Sequence, residues 1–346
     1  MGKFISNFNT TAELEAFMQT AEFKTPHVSL TKDSGEVHYF EPHDYSQDYF
    51  TMVVTSGGLI TWFPSIETNE LYCSANGGDW FLFPSMQSVE VAAGNKFLFK
   101  GETTPQSNKG IGKFSGAAGV SFYVEGNVMS LLYGDNFKGQ TSLEGKDYAL
   151  YGLFSGSINV TSAKNLSLPA TTLASNCYQY MFNGCTSLTT APELPATTLA
   201  SNCYQYMFYG CRSLTTAPEL PATTLATSGY CYMFYGCTSL TTAPELPVTT
   251  LKDGCYSSMF YNCTSLTTAP ELPATTLASN CYQYMFYGCR RLNSITCLAT
   301  DISASNCTRY WVQNVASSGT FTKAASMSSW TKSANGIPSG WTVQDA

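Results

Sequence analysis

The sequence predicts a mainly β protein: an N-terminal helix and hairpin, a small β-sandwich, then a repeat solenoid of five 26-residue units with caps. Three observations carry that prediction. Methionine recurs at Met181, Met207, Met233, Met259 and Met285, a strict period of 26 residues. Between about residues 43 and 126, alternating runs such as "YFTMVVT", "LITWF", "VEVAA" and "KFLFKG" are separated by Gly and Asn turns, the pattern of short sandwich strands. The composition, with 14% aromatic and 12% charged residues, suits strands with a nearly neutral surface.

Taken in chain order, residues 1–42 open with "TAELEAFMQTAEF", an amphipathic helix started by a Thr10-x-x-Glu13 capping box. "HVSLTKDSGEVHYF" follows as a hairpin turning at Asp33-Ser34-Gly35. This segment is expected to attach the protein to a larger assembly. Residues 43–126 form the sandwich. Residues 127–315 form the solenoid with its caps, and residues 316–346 a C-terminal β cap, because "SGTFTKAASMSSWTKSANGIPSGWTV" has strand character.

The five full units open at Leu168, Leu194, Leu220, Leu246 and Leu272. A unit of 26 residues cannot bury its own apolar face, but stacked copies share a continuous core. Within each unit "TSLTTAPEL" reads as a short strand bounded by Pro, which makes Leu188, Leu214, Leu240, Leu266 and Leu292 one internal column. "ATTL" gives a second extended piece with Leu173, Leu199, Leu225, Leu251 and Leu277 inward. "SNCYQYMFYG" starts on good N-caps and ends at Gly, so a two-turn helix is expected, with Tyr178, Phe182 and Cys185 on one side. "DYALYGLFSG" before the units and "SNCTRYWVQNV" after them echo the helix, with Trp311 at the Met position; such atypical ends cap a solenoid.

The paired cysteines of each unit admit a disulfide ladder, a metal site or a hydrophobic spine. If residues 177–185 are helical, eight steps of about 1.5 Å hold the pair about 12 Å apart, beyond the roughly 7 Å limit of a disulfide. Between units the spacing permits a bridge, but side chains locked parallel seldom present the torsion it needs. C-x7-C without a nearby His is not a zinc spacing. Buried reduced thiols are therefore expected, and Gly229 in place of a first Cys, with Cys231 two places later, agrees with that. On this view Cys237→Ala loses packing, and Cys237→Ser costs more because a hydroxyl enters an apolar column.

"YMFYGCTSLTTAPELPATTLA" and the spacing C-x-x-L-x-x-A-P-x-L-P-x-x-x-L closely resemble the BspA-like leucine-rich repeats of Bacteroidales and their phages, over residues 127–346. The resemblance implies a leucine-rich-repeat solenoid that binds or adheres and carries no catalytic residues. "FKTPHVSLTKDSGEVHYF" resembles, over a shorter stretch, the openings of proteins from Bacteroides phage and prophage structural regions. The start "MGKFISNFNTTAELEAF" turns polar after Ile5, so an export signal is not expected; its match to a myristoylation pattern at Gly2 and Ser6 is short and loose.

Function follows from what the chain lacks and what it repeats. A net charge of −7 leaves no basic field for phosphate backbones, so nucleic acid is not an expected partner. No run of about 18 apolar residues offers a membrane span. The only histidines, His27, His38 and His43, sit in one region without a third metal ligand, and no G-x-S-x-G, phosphate loop or H-E-x-x-H occurs. No enzyme, cofactor or metal is expected. Glu193, Glu219, Glu245 and Glu271 make a column of like charges, either a solvated ladder screened by salt or a cation site.

Tyr209, Tyr235, Tyr261 and Tyr287 lie one position past the buried Phe, with Tyr206, Tyr232 and Tyr284 beside them. Two readings stand level. The rows recognise a host cell-surface glycan or protein, since Tyr offers area at low entropic cost, or they only stack between repeats. The expected protein is a receptor-binding or adhesion component of a phage virion, a fibre or decoration, or alternatively a Bacteroidales cell-surface adhesin. Its oligomeric state, including a homo-oligomer, stays open.

Overall fold

The computed structural model describes residues 28–31, 37–40, 43–328 and 330–346. They fall in two compact units, Met1–Asp44 and Tyr45–Ala346. In the first, β1 (Val28–Thr31) pairs antiparallel with β2 (Val37–Phe40), Thr31 opposite Val37 and Val28 opposite Phe40. The amphipathic helix expected ahead of it, and His27, lie outside the described residues.

The second unit begins with two sheets. One has six strands in the order β11-β10-β3-β8-β5-β6: β3 (Phe50–Ser56), β5 (Tyr72–Ala75), β6 (Trp80–Leu82), β8 (Lys96–Lys100), β10 (Ser121–Asn127) and β11 (Asn165–Ser167). The other has three in the order β7-β4-β9: β4 (Gly58–Pro64), β7 (Ser88–Val91) and β9 (Gly112–Gly116). Alternation decides which faces meet. Phe50, Met52 and Val54 of β3 are buried together with Phe99 of β8, and Phe114 of β9 packs on Phe50 and Phe99 at centroid distances of 5.8 and 5.1 Å. Each such ring contributes roughly 1.5–3 kcal/mol through burial.

This core does not stop at the sheets. Phe154 lies 6.0 Å from Phe50 and 5.3 Å from Phe182. From there Phe182, Phe208, Phe234, Phe260 and Phe286 stack at 5.7 to 5.8 Å, ending against Trp311. The Met column, the first Leu column and the second Cys of every unit are likewise fully buried beside this spine.

Residues 174–185 do not form the expected two-turn helix. They make consecutive tight turns in which every fourth residue, Asn176, Tyr180 and Gly184, takes a φ of 58, 59 and 72°. The amides divide by parity. Those of Cys177, Gln179, Met181, Asn183 and Cys185 donate to the carbonyl three residues back. Those of Asn176, Tyr178, Tyr180, Phe182 and Gly184 donate to Ser201, Cys203, Gln205, Met207 and Tyr209 of the next unit. A helix would close these bonds within itself and leave no backbone link between units. Stacking wins because it satisfies every one of these donors while also burying the Phe and Met columns. A four-residue turn places Tyr178 and Phe182 on one side much as a 3.6-residue helix does, which is why the pattern suggests a helix.

The extended legs are also shorter than expected. They touch their neighbours through single bridges, such as Thr198 to Thr224 and Thr216 to Thr242, rather than as continuous strands. Each leg carries prolines, Pro192 and Pro195 in the first, and a residue without an N–H cannot extend a ladder. Strand remains the main regular secondary structure; among the described residues the α-helix is confined to Ser130–Tyr133. At the C-terminal end β12 (Ser294–Cys297), β13 (Thr320–Lys323) and β14 (Thr342–Asp345) add in parallel order. The Trp311 indole donates to the Gly336 carbonyl and the Trp341 indole to the Ala316 carbonyl, each at 2.8 Å.

Candidate functional site

The turn segments place two tyrosine columns side by side on one face. In the first, Tyr180, Tyr206 and Tyr232 stack with centroids 4.6 and 4.5 Å apart, and beyond Ser258 the column resumes with Tyr284 and Tyr310 at 5.6 Å. In the second, Tyr209, Tyr235, Tyr261 and Tyr287 stack at 4.6, 4.3 and 4.5 Å. The columns also touch each other: Tyr206 lies 5.7 Å from Tyr209, Tyr232 5.9 Å from Tyr235, and Tyr284 6.0 Å from Tyr287. All seven tyrosines singled out from sequence are half-buried and fall in this one face.

Nearly parallel rings, with interplanar angles of 6 to 13°, turn their faces to one another. What remains for a partner is therefore a row of ring edges and hydroxyls. The pKa of the Tyr261 hydroxyl is pushed up to about 12, first by burial and then by the neighbouring Tyr235 and Tyr287. Burial likewise raises Tyr206 and Tyr235. The first column sits on left-handed backbone at every tyrosine, φ 58° at Tyr206 and Tyr232 and 54° at Tyr284. An aromatic L-residue there costs on the order of 1–3 kcal/mol, which the inter-unit amide bonds and ring stacking offset.

Tyr180 and Tyr310 belong to the face and went unnamed from sequence, although each stands 26 residues from a named member. Tyr151 extends the row toward the sheets, 5.3 Å from Tyr180. It could not be found by period, since it stands 29 residues before Tyr180 and Gly152 takes the backbone position equivalent to Tyr180.

All thirteen cysteines are free and buried. The helical distance invoked against a bridge within a unit does not apply to these turns; the thiols are instead engaged as donors. Cys185 donates to the Phe154 carbonyl at 3.2 Å, and Cys211, Cys237 and Cys263 donate to those of Phe182, Phe208 and Phe234 at 3.1 Å each. Cys289 repeats this with Phe260 at 2.9 Å. The expectation that Ser costs more than Ala at Cys237 is thereby reversed, because a hydroxyl there finds the same acceptor. Burial pushes the Cys203, Cys255 and Cys289 thiols up to about 12, which leaves them unreactive near neutrality.

The glutamates of the expected column are all exposed, and among the described residues no group of three His, Cys, Asp or Glu is placed to hold a metal. No described helix is long and apolar enough to cross a membrane. Neither the curated proteins nor the solved structures contain a match to the chain. Residues 153–267 and 201–327 match the BspA type leucine rich repeat region, in 6 copies. That match covers just over half of the sequence, and the stacked Leu, Met, Phe and Cys columns lie within it: the chain belongs to the BspA-type leucine-rich repeat family.

Proposed function

We propose that this protein is an adhesion component of a phage or prophage particle, a fibre or decoration whose capped repeat solenoid faces the host cell. The BspA-type repeat is a non-catalytic scaffold, so its chemistry is that of an interaction surface. The observation that carries the proposal is the tyrosine face: two contiguous columns of half-exposed rings held in register by backbone bonds between units. A row pre-ordered in this way loses little side-chain entropy on binding, and its hydroxyl edges suit the polar groups of a cell-surface protein or glycan. Residues 1–42 serve as the attachment to the particle in this reading.

The thiols favour a particle over an exported adhesin. Ten cysteines within the five units are free in the fold, and a chain that folds in a reducing cytoplasm reaches this state without passing through oxidising conditions. Mass spectrometry of purified particles should find the protein; its presence on cell surfaces and absence from particles would replace the proposal by the adhesin. For recognition, Tyr235→Ala combined with Tyr261→Ala should abolish attachment to host cells while the fold persists. Undiminished attachment by the folded double variant returns the columns to packing alone. Loss of binding on removing residues 1–42 would move recognition to that segment.

A further inference from the structure

A second site lies away from the repeats, on the outer face of the six-stranded sheet. Register puts its members there. Tyr72 on β5 stands opposite Lys100 on β8 and opposite Leu82 on the edge strand β6, where Trp80 shares the face of Leu82. A cavity of about 510 Å³ opens among Tyr72, Trp80, Lys100, Glu70, Glu102 and Asp135. That size falls in the range of small-molecule sites.

The site is built from fixed parts. The Asp135 carboxylate accepts from the Tyr49 hydroxyl at 2.5 Å and takes both of its Lys100 contacts at 2.8 Å, interactions with Lys100 first and Tyr49 second that hold its pKa below the usual range. The Lys100 ammonium stands 4.4 Å from the centre of the Trp80 ring, and Tyr49 meets Trp80 at 4.9 Å, edge to face. On the floor, the Gly134 amide donates to the Gly101 carbonyl at 2.8 Å. Gly134 has a φ of 54°, and a side chain there would come within 3.3 Å of the Glu102 stem.

Two features of this cavity are unused by the fold. Tyr72 is 45% exposed and no described ring stacks on it. Glu70 and Glu102 are exposed and make no ion pair among the described residues. Charge then narrows the ligand. A cation would meet the Lys100 ammonium in the place over Trp80 that a cation would take. An anion would meet Glu70, Glu102 and Asp135. What fits is an uncharged molecule with an apolar face for the Tyr72 ring and many hydroxyls, which donate to carboxylates and accept from an ammonium. We propose that this cavity binds a neutral pyranose residue of a glycan, with its C–H face on Tyr72 and its hydroxyls on Glu70, Glu102 and Lys100.

The proposal stands independently of the tyrosine columns. Saturation-transfer NMR and calorimetry on the full chain, with lactose, cellobiose and mannobiose as probes and sialyllactose as the anionic contrast, should detect at least one neutral disaccharide. Tyr72→Ala should weaken it about tenfold. Glu102→Gln, at an exposed side chain that makes no hydrogen bond or ion pair among the described residues, should also weaken it while the melting temperature holds. The Tyr235→Ala, Tyr261→Ala double variant should bind the disaccharide as the parent does, so failure here and failure of the receptor-binding reading are separable. Silence of all three neutral probes, preference for sialyllactose, or binding unchanged in both Tyr72→Ala and Glu102→Gln would overturn the assignment.

Discussion

Along the repeats, Tyr209, Tyr235, Tyr261 and Tyr287 turn their ring faces to one another at 4.3 to 4.6 Å, while at the sheet edge Tyr72 keeps 45% of its surface open. The first arrangement arises from repetition: any residue at that register is stacked on its own copy, so a column of Tyr binds itself before it can bind anything else. The second arises from irregularity. Trp80, Lys100 and Asp135 meet once, each from a different part of the chain, and nothing repeats to cover them. The same residue type therefore yields a ladder of edges in one place and an open face in the other. Repetition gives rigidity at the cost of buried ring surface, and a single convergence leaves the ring free.

The widest separation between the two regions should appear at alkaline pH. The five units hold ten thiols where the two sheets ahead of them hold only Cys73. Unfolded thiols lose their protons near pH 9, whereas the buried Cys203, Cys255 and Cys289 hold theirs up to about 12. The unfolded state binds fewer protons across that window, so stability that is complete below about pH 9 falls as pH rises toward 12, by about 1.4 kcal/mol per pH unit for each such thiol. Denaturant melts between pH 7 and 11 should show this steep loss. A flat profile above pH 9 would mean that the thiols are not buried as described.

A smaller effect sets two adjacent residues against each other. Phe234 lies in the buried spine, 5.7 Å from Phe208 and 5.8 Å from Phe260, and its replacement by Ala should cost about 3–5 kcal/mol. Tyr235 beside it is half-buried, and Tyr235→Ala should cost about 1 kcal/mol, the worth of an aromatic pair at the surface. Equal losses in chemical denaturation would show that the tyrosine face is part of the core and not a surface laid over it.

The smallest effect tests the thiol columns. Cys237→Ser keeps a donor for the Phe208 carbonyl and Cys237→Ala removes it, so Ser should be the milder change, by about 1 kcal/mol. If Ala proves milder, the thiol acts as an apolar filler alone.

Much of the repeat architecture is legible in the sequence because each unit brings equivalent residues into contact. Met181 predicts the place of Met207, and Phe182 that of Phe208. The tyrosine columns are legible on the same ground. The conformation of "SNCYQYMFYG" is not, since apolar residues four apart fit a helix and a chain of four-residue turns alike. What separates them is where the amides of Tyr178, Tyr180 and Phe182 find acceptors, and those acceptors lie in the next unit. The cavity at the sheet edge leaves no signal of any kind in sequence, because Tyr49 and Asp135 are 86 residues apart and meet only once the sheet has formed.

The sequence by itself determined the period, the inward columns of Leu, Met, Phe and Cys, and the face that collects the half-buried tyrosines. A fixed residue count per unit forces like onto like, and apolar side chains must leave water wherever the count places them. Only the tertiary structure decided that the turns replace the helix, that the ring faces of the columns are consumed in stacking, and that Trp80, Tyr72 and Lys100 frame an open cavity. Those outcomes depend on hydrogen bonds and ring contacts between distant segments, whose geometry is set by how backbone donors are satisfied across the whole stack and sheet and not by any local run of residues.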